Sequence, residues 1–403
     1  MPSHCFVRPS GRRRPCHGKD GKDRMTEITG GVDAHSDTHH AAALDERGRL
    51  LGDAAFAASL EGCRELLAWL ESFGPVGCVG VESTGSYAAG LTRFLAARGI
   101  AVVEVNQPHA HTRRRRGKSD PLDAEAAARS VLAGEATASP KHTGGIVESI
   151  RQLRVAREGA VKATTAALNQ LHGLVISAPD ELRQQIAARK TSRGKVTLCL
   201  RLRPDRTQLH EPLQAAKLAL RTIAERVRDL DRQIELLDRH LVQLVATAAP
   251  RTTSLLGVST QHAGQLLTTA GENIERLAND GAFARLCGAS PIPASSGRTN
   301  RHRLNYGGDR DANRALHMIA VCRLRYCQRT RDYAARRTAE GKTKPEIIRC
   351  LKRYIARELY HTLRADLADL NPSIPPTRHA VTISCGAGPT GTTRTSRRRR
   401  ART

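Results

Sequence analysis

The sequence predicts an α/β domain, a long helical arm and a small, mostly α-helical C-terminal domain, in that order. Strand-like and helix-like segments alternate over residues 25–146, which is typical of an α/β sheet. Apolar residues then recur at three- and four-residue spacing over residues 147–249, and a glycine-rich polar centre lies between helical segments over residues 250–368. The basic segments 1–24 and 369–403 are predicted to be disordered.

Three short apolar segments open the first unit and predict an antiparallel meander. They read "ITGGVDAH", "THHAAALDE" and "GRLLGDAAF", with short polar turns between them. A helix ("SLEGCRELLAWLESF"), a strand ("VGCVGVES"), a helix ("AAGLTRFLAARG") and a strand ("IAVVEVNQ") follow. The helix "DPLDAEAAARSVLAG" closes the unit, and we expect Asp120 to be its N-cap because Pro121 favours the first helical position.

The arm, residues 147–249, is predicted to contain two long helices with a break near Pro179. Each helical segment has one apolar face and one charged face. Such helices pair in coiled coils, and the pattern fits an antiparallel pair within the chain as well as pairing between chains.

The chain is strongly basic, which indicates a polyanionic partner. Its 403 residues carry 65 Lys and Arg against 39 Asp and Glu, a formal net charge of +26. Without the five net charges of residues 1–24 and the seven of residues 371–403, a charge of +14 remains. We therefore expect a nucleic acid as partner and disfavour small anionic metabolites as substrates. Because aromatic residues make up only 3%, rows of stacking rings are not expected to carry the binding.

The expected compartment is the cytoplasm, without membrane attachment. The apolar stretches are too short for a membrane span, and residues 1–24 lack the apolar core of a signal peptide. Met25 is a candidate natural start. Ten Cys occur without a CxxC pair, so we expect reduced thiols rather than a zinc site.

Four acidic residues of the first unit form a candidate metal site. Asp33 and Glu82 end two strands of the predicted sheet, and such ends converge on one edge. Asp120 and Asp123 lie three residues apart at the start of a helix and share a face. Clustered carboxylates repel one another unless cations compensate, and hard oxygen ligands suit Mg²⁺ or Mn²⁺. The alternative is structural, with Asp33 in a turn and Asp120 only a helix cap.

A group of histidines is a weaker candidate for a metal site. His35, His39 and His40 follow Asp33 closely. In an alternating strand His39 and His40 point to opposite faces, so we do not expect them to share a zinc ion.

Two arginine-rich segments are candidate nucleic-acid contacts, with a solvated basic face as the alternative. The first precedes the helix with the two aspartates and can guide a nucleic-acid backbone towards the acids. The second follows the serine pair Ser295 and Ser296, and guanidinium groups match phosphate oxygens in bidentate geometry. The residues are Arg113, Arg114, Arg115, Arg116 and Lys118 in the first segment, and Arg298, Arg301, Arg303, Arg310 and Arg314 in the second.

Five ordered sequence blocks resemble the DEDD transposases of the insertion-sequence family usually called "IS one-ten". The blocks are "GVDAHSDTHHAAALDERGRLLG", "VGVESTGSY", "GKSDPLDAEAAARSV", "LNQLHGLVISAPDELR" and "CGASPIPASSGRTNRHRLNYGGDRDANRALH". The similarity extends over roughly residues 27–365. It implies an N-terminal RuvC-like domain of the RNase H fold and a C-terminal transposase domain with an essential serine.

The resemblance also implies roles for single residues. It assigns the catalytic, metal-binding tetrad to Asp33, Glu82, Asp120 and Asp123. It assigns the nucleophile to Ser296, with Ser295 as the rival. The tetrad with its Mg²⁺ ions would come together with a serine of a different protomer. Strand cleavage would then leave a phosphoserine and a free hydroxyl that attacks the recombining strand.

The function that this resemblance implies is that of a transposase, a site-specific DNA recombinase that moves an insertion element. It further implies guidance by a structured non-coding RNA, assembly of dimers and tetramers on DNA, and a place on the bacterial nucleoid. Two alternatives remain from the residues themselves. One is a Mg²⁺-dependent nuclease of the Holliday-junction-resolvase kind that uses water, and the other is a non-catalytic nucleic-acid-binding protein.

Overall fold

The computed structural model describes most of the chain, namely residues 27–82, 84–105, 119–297 and 302–370. Several predictions concern residues outside these ranges. They are the two basic tails, the contacts of Arg113, Arg114, Arg115, Arg116 and Lys118, and those of Arg298 and Arg301.

A five-stranded mixed sheet forms the first unit. Its strands are β1 (Ile28–Ala34), β2 (Thr38–Leu44), β3 (Leu50–Ala57), β4 (Val76–Glu82) and β5 (Ala101–Val105). The order across the sheet is β3-β2-β1-β4-β5, with β1 to β3 antiparallel and β4 and β5 parallel to β1. The predicted meander and strand–helix alternation are confirmed, and the mixed sheet is consistent with a RuvC-like domain.

Helices cover both faces of this sheet. On one face, α1 (Leu60–Glu71) and α2 (Ala89–Ala96) bury apolar side chains against β1 and β4. On the other face lies α3 (Asp120–Leu132). A Cβ atom at Gly31 of β1 would lie 2.2 Å from the carbonyl oxygen of Ala124. Helix α3 can therefore approach β1 this closely only because residue 31 is a glycine.

The start of α3 differs from the prediction by one residue. Ser119 occupies the N-cap position with an extended backbone, and Asp120 is the first helical residue. The prediction that Asp120 is the N-cap is therefore wrong. Pro121 is tolerated one position further into the helix because backbone N–H groups of the first turn have no acceptor within the helix.

Four helices make up the arm: α4 (Gly145–Ser177), α5 (Asp180–Ala187), α6 (Ser192–Leu200) and α7 (Pro212–Ala248). The two long helices, α4 and α7, pack antiparallel within the chain. Ile150 shares a buried cluster with Val245 at one end of the pair, and Leu171 shares another with Leu220 at the other end. The sequence predicted the long helices but not α5 and α6 between them.

The C-terminal unit is mostly helical, as predicted. It contains α8 (Pro250–Ser254), α9 (Thr260–Ala270), α10 (Asp280–Leu286), α11 (Arg310–Tyr326), α12 (Gln328–Ala339) and α13 (Lys344–Leu370). The short strands β6 (Ile292–Pro293) and β7 (His302–Arg303) pair antiparallel. The core of the unit includes Val147 and Leu241 from the base of the arm.

Two expectations about the whole chain concern membranes and thiols. Among the described residues, no helix is both long enough and apolar enough to cross a membrane. The cysteines within the described ranges carry free thiols, as expected.

Candidate metal centre

Asp33 and Glu82 lie near the carboxyl ends of two neighbouring parallel strands, on the same face of the sheet. Val32 of β1 pairs with Val81 of β4, so Asp33, the second-last residue of β1, and Glu82, the last residue of β4, lie side by side. Each lies two residues after a glycine that faces α3, and side chains two apart in a strand share a face. Both acids therefore lie on the face that α3 covers.

The start of α3 brings the other two acids to this edge. Asp120 and Asp123 both lie in its first turn, and the side chain of Asp123 is buried. The N-terminal end of a helix carries partial positive charge and so favours carboxylates. Packing of α3 against β1 thus places the two predicted pairs of acids at one edge of the sheet.

His35 lies between two of these acids. Its Nε2 is 3.2 Å from Oδ2 of Asp33 and 3.4 Å from Oδ1 of Asp120. One ligand atom from each of the three residues falls within 4.8 Å of the others, the only grouping of at least three metal-ligating residues found among the described parts of the chain.

The carboxyl group of Asp33 is held in an unfavourable electrostatic environment. Asp33 is 7% exposed, and its Oδ2 is buried without a well-aligned hydrogen-bond donor. Burial raises the pKa of Asp33 above its ordinary value of 3.8, the carboxylates of Asp123 and Asp120 raise it further, and the charge of His35 opposes them. A bound cation would relieve this repulsion.

The donor set fits a divalent cation. Asp33, Glu82, Asp120 and Asp123 offer carboxylate oxygens, which Mg²⁺ and Mn²⁺ prefer, and His35 adds one imidazole nitrogen. Oδ2 of Asp33 is buried with His35 as its near neighbour but without a well-aligned donor, which is compatible with a cation at this place, because buried polar atoms otherwise have well-aligned partners.

His35 was not predicted to belong to the acidic cluster. Its position two residues after Asp33, directly past the strand end, was the available signal. The other two histidines lie outside the acidic cluster. His39 is buried, whereas Nε2 of His40 bonds Oδ1 of Asp53 at 2.8 Å, and neither belongs to the cluster.

The serine pair lies in the C-terminal unit, on a different part of the chain. Ser295 and Ser296 follow β6 in the connection to β7, and both are exposed. Gly297 comes next with a φ of +54°, a conformation that favours glycine. The ion-pair partner that Asp33 and Asp120 share is His35, which belongs to the first unit and not to the C-terminal unit.

A half-buried polar network anchors the segment that follows the serines. Asp309 caps α11 by accepting hydrogen bonds from the backbone N–H groups of Asp311 and Ala312, and it also accepts from Oγ1 of Thr269 at 2.7 Å. The side chain of Asn313 donates to the carbonyl oxygens of Cys287 and Gly288, both at 2.9 Å. These contacts fix the start of α11 against α9 and α10.

Three of the predicted phosphate-binding arginines near the serines lie in the described part of the chain. Arg303 lies on β7, and Arg310 and Arg314 lie in the first turns of α11; all three are exposed. Arg314 forms an ion pair of 3.0 Å with Asp311. Exposed guanidinium groups in one short segment are compatible with a phosphate-binding surface.

Two family models match the chain. A transposase model of the DEDD type for IS110 matches residues 30–178, which contain all four acids. A model described as "Transposase IS116/IS110/IS902 family" matches residues 249–335, which contain the serine pair and the arginines that follow it. No curated protein gives a significant match. Together the two models cover more than half of the sequence, and the chain therefore belongs to the IS110 ("IS one-ten") family of transposases, which are DNA-processing enzymes.

Proposed function

We propose that this chain is the recombinase of an insertion sequence and that it cuts and rejoins DNA strands with a metal-bound acidic tetrad and a serine nucleophile. The observation that carries the proposal is the convergence of Asp33, His35 and Asp120, with Asp123 beside them, at the edge of the sheet. The whole cluster lies within the segment that the DEDD transposase model matches.

The acids are assigned to metal binding. Asp33, Glu82, Asp120 and Asp123 would hold Mg²⁺ or Mn²⁺, with His35 keeping Asp33 and Asp120 at a fixed separation. A divalent cation bound there would stabilise negative charge on the oxygens of a scissile phosphate. The raised pKa of Asp33 is compatible with this role, since it comes first from burial of the carboxyl group and then from the nearby carboxylates of Asp123 and Asp120, whose repulsion a cation would relieve.

The hydroxyl of Ser296 is assigned to nucleophilic attack. Its Oγ forms a bond to the scissile phosphorus while the bond from phosphorus to the sugar oxygen breaks, and the sugar oxygen takes up a proton. In rejoining, a hydroxyl of the recombining strand attacks the phosphoserine and the serine regains its proton. Each step exchanges one phosphate ester for another, so no external energy source is required. The exposure of Ser296 and the nearby Arg303, Arg310 and Arg314 support this assignment.

The acids and the serine would meet in an assembly of protomers. Ser296 is exposed on a hairpin of the C-terminal unit, whereas the acids lie at the edge of the N-terminal sheet. We infer that a serine of one protomer serves the acids of another, in a dimer or tetramer formed on DNA. The strongly basic chain also suits a structured guide RNA as a second nucleic-acid partner.

The decisive experiment is a search for a covalent protein–DNA adduct. The full chain is purified from a host that carries the element, and its bound nucleic acid is sequenced. Cleavage of element-end DNA with Mg²⁺ is then followed on a denaturing gel for the wild type, Ser296→Ala, Ser295→Ala and Asp33→Asn. We expect an adduct in the wild type and in Ser295→Ala only, together with one specific short RNA.

The other outcomes identify the alternatives. Mg²⁺-dependent cutting by Ser296→Ala without an adduct would indicate a nuclease that uses water. Loss of the adduct in Ser295→Ala alone would move the nucleophile to Ser295. Binding without cutting by the wild type, in the presence of its RNA, would indicate a non-catalytic binding protein.

A further inference from the structure

A cleft of about 1080 Å³ opens in the C-terminal unit between α12, α13 and the end of α11. It shares no residue with the acidic cluster, the serine pair or the arginines that follow the serines. The side chains that give the cleft its chemical character are Arg323, Arg329, Tyr333, Arg336, Tyr354 and Arg357.

The cleft carries an excess of positive charge. Four arginines line it against two acids, Asp332 and Glu358. Glu358 is engaged by Arg323, and Asp332 accepts a hydrogen bond from Gln328 at 2.7 Å. Arg329 and Arg336 are exposed and form no ion pair with another described residue, so both guanidinium groups are available to an anion.

The cleft also contains two of the chain's six tyrosines, Tyr333 and Tyr354. Tyr333 and Tyr354 pack edge to face with ring centroids 5.8 Å apart, and the guanidinium of Arg336 lies 5.6 Å from the ring centre of Tyr333. Tyr354 is nevertheless 58% exposed, which leaves much of its ring open to the solvent.

Arginine beside an open aromatic ring is the combination that holds single-stranded nucleic acid. Guanidinium groups bind phosphates, and a tyrosine ring stacks on a base. The faces of bases are accessible in single strands, whereas in a duplex they are stacked on one another and only the edges can be reached. Burial raises the pKa of Tyr333 to about 12, with contributions from Cys350 and Tyr354, so this ring stays neutral and does not repel phosphate.

We propose that the cleft binds a single-stranded segment of RNA or DNA, with a base stacked on Tyr354 and backbone phosphates on Arg329 and Arg336. This site is separate from the proposed strand-cleavage chemistry. Binding can therefore be measured with EDTA present, and a failure of the cleavage proposal leaves the result interpretable.

The test uses the full chain, freed of bound nucleic acid by high salt, and fluorescence anisotropy with 12-nucleotide probes. The probes are single-stranded RNA, single-stranded DNA, the same DNA as a duplex, and a single strand with abasic positions. The variants are Tyr354→Ala, Tyr354→Phe and the pair Arg329→Ala/Arg336→Ala. The matched control is Arg189→Ala/Arg193→Ala, which removes two exposed arginines at the far end of the arm.

We expect Tyr354→Ala to weaken binding of a single strand by about 5- to 150-fold, because it removes one stacked base. Tyr354→Phe should bind as the wild type does, since it keeps the ring. The arginine pair should lower the slope of log K against log salt by about 0.7 for each phosphate that the protein no longer neutralises, and the arm control should not. An effect limited to RNA or to DNA identifies which strand occupies the cleft.

Three results would overturn the proposal. The first is equal affinity of Tyr354→Ala and the wild type for single strands while both have the same melting temperature. The second is an equal loss of affinity by Tyr354→Ala for the duplex or the abasic strand. The third is displacement of the single strand by polyglutamate at matched charge, which would indicate an acidic protein segment as the occupant.

Discussion

The acids at the edge of the sheet and the serine hairpin differ in how the fold holds their side chains. The acids are held by the packing of α3 on β1, and Asp33 and Asp123 are buried. Ser296 is exposed in a connection between two short strands, and the segment that follows is anchored through Asp309 and Asn313. The difference is that the fold of a single chain holds the acids together, whereas the serine pair lies on an exposed connection, which is the arrangement that our proposal of a serine acting in a partner protomer requires.

The largest expected effect comes from removing charge at the acidic edge. Asp33→Asn or Asp123→Asn should lower the rate of strand cleavage by about 10²- to 10³-fold, because charge stabilisation of the transition state is removed. The control is Asp37→Asn, an exposed neighbouring acid outside the cluster, which should change the rate little. The rates are measured from single-turnover cleavage of element-end DNA. An equal decrease in the control would mean that only the overall charge of this edge matters.

The next effect is on stability in the presence of metal. At a free Mn²⁺ concentration 100 times the Kd, the wild type should gain about 2.7 kcal/mol in its free energy of unfolding. Asp33→Asn should gain little, since it offers one carboxylate fewer. Thermal denaturation with and without Mn²⁺ measures both, with Ser296→Ala as the control that keeps the full gain. A full gain in Asp33→Asn would place the cation elsewhere.

A smaller effect tests whether packing of α3 organises the acids. Gly31→Ala should lower the free energy of unfolding by about 1–3 kcal/mol, because the new Cβ overlaps the backbone of α3 at Ala124 and Ala128. Gly90→Ala, at an exposed position of α2 with no neighbouring atom within 4 Å, is the matched control and should raise stability by up to about 1 kcal/mol. Denaturant unfolding measures both. If Gly31→Ala were as stable as the wild type, α3 would not be tightly seated.

A smaller loss of stability is expected when the anchor of the serine segment is removed. Asp309→Ala removes the N-cap of α11 and the acceptor for the Thr269 hydroxyl, which should cost about 0.5–2 kcal/mol. Asp311→Ala removes only a surface ion pair with Arg314 and should cost less. The free energies of unfolding of the two variants are compared by urea unfolding. A larger loss of stability in Asp311→Ala than in Asp309→Ala would mean that the anchor is unimportant.

The smallest effect is a pH dependence of the metal-free protein. Because the pKa of Asp33 is raised above 3.8 in the folded state, the stability that its protonated form contributes is complete below pH 3.8. That contribution disappears as the pH rises through the raised pKa. In EDTA the melting temperature of the wild type should therefore fall relative to that of Asp33→Asn as the pH rises. A difference that is independent of pH would mean that Asp33 does not titrate in this range.

Much of the sheet could be predicted because it depends on local patterns. Short apolar segments separated by polar turns mark β1 to β3, and the acids Asp33 and Glu82 lie where two strands end. The first turn of α3 carries Asp120 and Asp123 for the same local reason, although its start was predicted one residue late. The short helices α5 and α6 were not predicted, because packing against the ends of α4 and α7 stabilises them more than their own periodicity does.

The sequence by itself determined the order of the three units, the basic character of the chain, the acids at the strand ends and the family to which the chain belongs. These properties reside in residue spacing and composition over short distances. The tertiary structure alone decided that His35 lies between Asp33 and Asp120 and that Tyr354 opens into a basic cleft. Such contacts depend on how elements that are far apart in the chain pack together. The spacing of residues along the sequence does not reveal which distant residues will lie close in space.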